Sequence, residues 1–170
     1  FTSLNAAKFS VVLNKNEDVL YSNILALADV IIDNRSPEAK EKDSILQNFL
    51  KLADKKHPVI FCSIVGYDSK ENKHRRALDV SVQAETGMAM TNAPNPSFPL
   101  KVGFTVVDIA TAFKAASHIT AHLFYLKNQS IKNLVIHLEV SMAKVSAQLQ
   151  MGQYLKYAVE QKETHREGNR

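Results

Sequence analysis

Asp108 stands at the start of an apolar helical pattern, FTVVDIATAF, where a carboxylate has two uses. It can cap the free amides of a first helical turn. Being ionised at neutral pH, it can also attack an activated carbonyl without the help of a general base. Asp79, at a loop–helix junction, reads by itself as a helix cap. Arg76 closes the basic run KENKHRR at 70–76, and a cluster of that size suits a phosphorylated ligand. His118 and His122 are four apart and share a helical face. That spacing holds a metal only with a third ligand, and none stands out, so both are expected to pack or to lie at an interface, with no metal. Cys62 lies in an apolar run, where a packed thiol is expected. Tyr67, Phe98, Met88 and Met90 are expected to serve packing.

Composition narrows the classes that could carry these groups. At 170 residues, 45% hydrophobic and 22% charged, the chain is long enough for one soluble globular domain. The net charge of +4 is modest and scattered, which argues against nucleic acid as a partner. A single cysteine rules out an intramolecular disulfide framework. No run approaches the ~18–20 apolar residues of a membrane span, and no signal peptide is evident, so a cytoplasmic protein is expected. The chain opens on Phe1 with FTSLNAAKFSVVLN, which reads like the middle of a fold, and sequence upstream is expected.

The elements that must position these groups follow from hydrophobic period. FSVVL (9–13) predicts a strand, and Leu20, Ile24, Leu27 and Ala28 predict a helix capped by Asn16 or Asp18. Val30 to Ile32 closes on Asp33-Asn34, and Pro37 suits a turn or a first helical turn. Ile45, Leu46, Phe49, Leu50 and Ala53 predict a second helix. VIFCSIV, ending at Gly66, predicts a strand covered on both faces. Leu78 to Met90 predicts a helix broken near Gly87, and TNAPNPSFP (91–99) a loop. A long helix is expected from Val107 to Lys127, burying Ile109, Phe113, Ala116, Ile119, Leu123 and Phe124. LVIHLEV predicts a half-buried strand, and Ser141 a cap for a last helix carrying Val145, Leu149 and Leu155. Alternating strands and helices give an α/β layered arrangement with a parallel sheet over 1–160, followed by a polar tail at 161–170.

The motifs, taken in order, resemble the family III CoA-transferases of the CaiB/BaiF type. This group includes formyl-CoA and carnitine-type CoA-transferases and α-methylacyl-CoA racemases. The residues that carry the resemblance are FTSLNAAKFSVVLN, ADVIIDNRSP, Cys62-Ser63-Ile64-Val65-Gly66-Tyr67, Arg76-Ala77-Leu78-Asp79, Gln83-Ala84 with Gly87, Val102-Gly103 with Asp108, and Leu138-Glu139-Val140-Ser141. They cover about residues 1–145. The resemblance implies a partial Rossmann-like sheet with flanking helices, part of the large domain of that fold. It implies transfer of coenzyme A between an acyl-CoA and a carboxylic acid, with Asp108 as the nucleophile that forms an acyl-aspartyl mixed anhydride. It places Asp79 near the active site, and Arg76 and Lys42 where basic residues contact the CoA nucleotide. Lys42 reads equally as a solvated surface charge. The full-length form is expected to be a homodimer.

The departures from the pattern carry their own expectations. Leu78 stands where the racemase branch has a histidine, and leucine transfers no protons, so racemisation falls behind transfer. Asn128 to Asn133 replace a glycine-rich turn, and Lys144 stands at an acidic position. With a length under half that of usual members, these changes give the alternative expectation of a non-catalytic remnant or interaction module of the same fold.

Overall fold

The computed structural model describes residues 3–14, 17–51, 57–68, 75–92, 98–127 and 134–162. Three strands, β1 (Val30–Asp33), β2 (Val59–Val65) and β3 (Val135–Ser141), form a parallel sheet in the order β1-β2-β3. The α/β expectation is met, and each neighbouring pair is joined by helices, as a parallel pair requires. The central strand β2 is buried along its first four residues and half-buried beyond, which is why VIFCSIV has no polar alternation.

Successive β2 side chains feed two different cores. Ile60 and Cys62 pack with Val140, Val145, Ala115 and Ile119 on one face. Phe61 packs with Leu25 and Leu46 on the other. The first face is covered by the long helix α6 (Val106–Lys127), and the second by α1 (Asp18–Leu27) and α3 (Ser44–Lys51). Between β1 and α3, the short α2 (Pro37–Lys42) opens with Ser36 as its cap and Pro37 in its first turn. Between β2 and α6 come α4 (Asp79–Glu85) and α5 (Met88–Thr91), separated at Gly87. Gly87 has φ +80, a conformation that glycine adopts without penalty. After β3, α7 (Met142–Leu149) begins at its Ser141 cap and α8 (Met151–Glu160) follows. None of the described helices is long and apolar enough to cross a membrane.

Several sequence expectations are corrected. Residues 9–13 pair with no strand among the described residues, and Phe9 and Val12 are exposed. A β-branched run becomes a strand only where a sheet edge takes its backbone, and here none does. Helix α1 forms, but the residue it buries is Leu25, while Leu20 and Leu27 are exposed. Its cap position is Glu17, with Asp18 already inside the helix. Helix α6 buries Val107, Thr111, Ala115 and Ile119, and of the six residues expected inward only Ile119 is buried. The last helix breaks at Gln150, leaving Leu149 and Leu155 exposed. Ala53, Asn16, Asn128 to Asn133 and most of the proline loop (93–97) lie outside the described residues.

Candidate functional site

A parallel sheet sends every strand's carboxyl end to one edge, and in this protein a cleft of about 630 Å³ opens there. Asn34 to Pro37 reach it from the end of β1, Ile64 to Gly66 from β2, and Met142 from β3. Arg75 to Leu78 and the first turns of α6, including Asp108, complete the lining.

Asp108 is the third residue of α6, not its cap. The cap comes from Asp79, the first residue of α4. One oxygen of its carboxylate accepts the N–H groups of Val107 (2.8 Å) and Asp108 (3.1 Å). The other accepts from the amide of Gln83, whose own oxygen accepts the N–H of Val102 at 2.8 Å. Asp79 is only 8% exposed, so α4 locks the entry of α6 through a buried carboxylate and fixes the backbone that carries Asp108. Partial burial pushes the Asp108 carboxyl above its ordinary value, and the nearby Asp79 charge adds to the shift. The first-turn amides of α6 at Val107 and Asp108, which could otherwise favour its ionised form, are already satisfied by the Asp79 carboxylate.

Of the other residues singled out in the sequence, Arg76 lines the same cleft, is exposed, and has no hydrogen-bond or ionic partner among the described residues. Its neighbour Arg75 is committed: Nη2 donates to Glu85 at 2.5 Å, and the guanidinium lies 5.1 Å from the Tyr67 ring centre. Lys42 is exposed at the end of α2 and does not line the cleft. His122 turns its Nδ1 to the backbone oxygen of His118 at 2.8 Å, a contact within the helix. No group of three metal-ligating side chains occurs among the described residues. Leu78 is 68% exposed in the cleft. Lys144 pairs with Asp68, tying the start of α7 to the segment after β2. That contact gives the basic residue at this position a structural use.

Two residues were not anticipated. Lys40 is buried, and its ammonium donates to Ser63 Oγ (2.5 Å) and to the Ile64 carbonyl (3.3 Å). β1 ends opposite Ser63, so Lys40 satisfies the first β2 carbonyl beyond it. Burial lowers the Lys40 pKa, and the charges of Asp33 and Glu139 oppose that shift. Arg35 lines the cleft and is gripped by Asp33 and Asp43. A charge inside a turn-forming stretch gave no sign of either contact. The cleft floor is tight where Gly66 meets Ala77, since a Cβ at position 66 would overlap the Ala77 methyl.

Comparisons with known proteins agree with this architecture. The sequence profile of CoA-transferase family III matches residues 1–170. Succinyl-CoA:glutarate CoA-transferase of Mus musculus is 27% identical over 173 residues, covering 99% of this chain and 38% of the mouse protein. A CAIB/BAIF family protein from Brucella suis superimposes with a TM-score of 0.78 at 20% identity, over 92% of this chain and 40% of that one. The hypothetical protein Rv3272 from Mycobacterium tuberculosis gives 0.75 at 22% identity, over 92% and 45%. The chain thus spans less than half the length of each of these relatives.

Proposed function

Because the chain belongs to CoA-transferase family III, we propose that it carries the nucleophile of a CoA transfer between an acyl-CoA and a carboxylic acid, and that this nucleophile is Asp108. The observation that supports the reading is the placement of Asp108. It stands in the cleft at the strand ends, on a helix turn whose backbone is fixed by the buried Asp79.

The Asp108 carboxylate attacks the thioester carbonyl. A C–O bond forms, the C–S bond breaks, and CoA leaves as the thiolate. The acceptor carboxylate then attacks the Asp108 carbonyl, and the donor leaves as its free carboxylate. The thiolate attacks the acceptor's carbonyl in the new anhydride, which forms the product thioester and restores the Asp108 carboxylate. Asp79 acts as a positioning residue through the helix it caps. Arg76, uncommitted and on the rim, offers a guanidinium to the CoA phosphates. Lys42, outside the cleft lining, would reach only a distal part of the nucleotide. Leu78 presents a hydrocarbon at the cleft where racemisation would need a proton carrier, which favours transfer. The same reading includes a homodimeric full-length protein working in the cytoplasm.

The test is intact-protein mass spectrometry after incubation with a panel of acyl-CoAs and hydroxylamine, which converts an acyl-aspartyl anhydride to a hydroxamate. A modification mapped to Asp108 and lost in Asp108→Asn is the expected result. A folded protein that gives no adduct with any donor would instead point to the non-catalytic form of the fold.

A further inference from the structure

Arg35 is held in a way that leaves a defined part of it unused. An arginine has five N–H donors in one plane. Nε is shared between the two Asp33 oxygens at 3.0 and 3.1 Å, and Nη2 donates to Asp33 at 2.7 Å and to Asp43 at 3.0 Å. The grips are themselves anchored. Asp33 also accepts the backbone N–H of Arg35 (2.9 Å), and Asp43 accepts from the Tyr21 hydroxyl (2.8 Å) and the Leu46 N–H (2.9 Å). The guanidinium plane is therefore fixed from two sides, while the two N–H groups of Nη1 have no partner among the described residues.

Neutralising the buried Asp33 is one use of this cation, and it accounts for the Nε–Nη2 edge alone. It does not account for a side chain that remains 44% exposed and lines the cleft that holds Asp108. The local charges balance, Arg35 and Lys40 against Asp33 and Asp43, so an arriving anion meets fixed donors without net repulsion. Other parts of the cleft lining are apolar, formed by Ile64, Val65, Ala112 and Met142, which suits a short methylene chain.

We propose that Arg35 is a specificity-determining residue, whose free Nη1 edge receives the second carboxylate of a dicarboxylic acid while the first exchanges at Asp108. This rests on the reading of Asp108 given above. Preorganised, charge-assisted donors of this kind discriminate by about tenfold or more.

The experiment compares kcat/KM for succinate, glutarate and adipate with butanoate, pentanoate and hexanoate, in the parent protein and in Arg35→Lys, which keeps the charge and loses the fork. Calorimetric binding of the same acids is measured in parallel. A diacid preference of about tenfold or more, collapsing toward one in Arg35→Lys through a raised diacid KM, is the expected result. A parent ratio near one, or a ratio that Arg35→Lys leaves intact, overturns the proposal. If the lysine variant fails to fold, Arg35→Gln carries the same comparison, and a parent ratio near one overturns the proposal without any variant. Diacid binding that depends on Arg35, without transfer to any acid, would remove the transferase reading and keep this site. Transfer without diacid preference would do the reverse.

Discussion

Asp79 and Asp108 form a pair in which one carboxylate places the other and also raises its proton affinity. Removing the Asp79 charge in Asp79→Asn keeps an acceptor for the two amides and should lower the Asp108 pKa. Partial burial persists, so the value should stay above the ordinary ~3.9 of an aspartate. Carboxyl-carbon NMR titration reads this directly, and an unchanged or higher value would remove the coupling. The sign for stability follows from linkage. Folding raises the Asp108 pKa, so the folded chain holds its proton more tightly than the unfolded chain, and ionised Asp108 opposes folding above the folded pKa. Asp108→Asn should therefore be at least as stable as the parent at neutral pH in denaturant titrations. Asp79→Ala, which leaves buried amides unpaired, should lose about 1–3 kcal/mol in the same measurement.

At the scale of elements, α6 shows how far the sequence could be read. Its extent was evident from the unbroken helical period, but its inward face was not, because apolar residues lie on two sides of it. The inward stripe is mostly small, Thr111 and Ala115 among them, so the helix can lie close to the sheet, while the bulky Phe113 and Phe124 stay outside. Size had argued for the wrong face. Ile119→Ser should cost about 2–5 kcal/mol as a core truncation, and Phe113→Ser should stay within about 0.5 kcal/mol as an exposed change. Equal losses from the two in urea titrations would reverse the assigned orientation. The central strand β2 was legible for a related reason: a buried parallel strand leaves a continuous apolar run such as VIFCSIV. In the candidate site, Asp108, Asp79 and Arg76 stood out through an ordered motif. Arg35 did not, since its contacts with Asp33 and Asp43 depend on how a turn closes, which hydrophobic period does not encode.

Across the whole molecule, the central strand carries a built-in reporter. Cys62 is the single thiol of the chain, fully buried between the sheet and α6, and burial pushes its pKa up. A thiol reagent should therefore label native protein slowly, with rates that follow global unfolding as urea is added. Rapid labelling without denaturant would mean that α6 opens on its own. The cleft is assembled differently from this core. Its walls come from 34–37, 64–66, 75–78, the start of α6 and Met142, segments that are distant along the chain and meet only at the strand ends. A substitution or insertion in one of them re-shapes one wall and leaves the strand register untouched. Under the proposed role of Asp108, the range of acids accepted could therefore drift by separate small steps in a lineage, each compatible with folding, while the carboxylate on α6 stays in place.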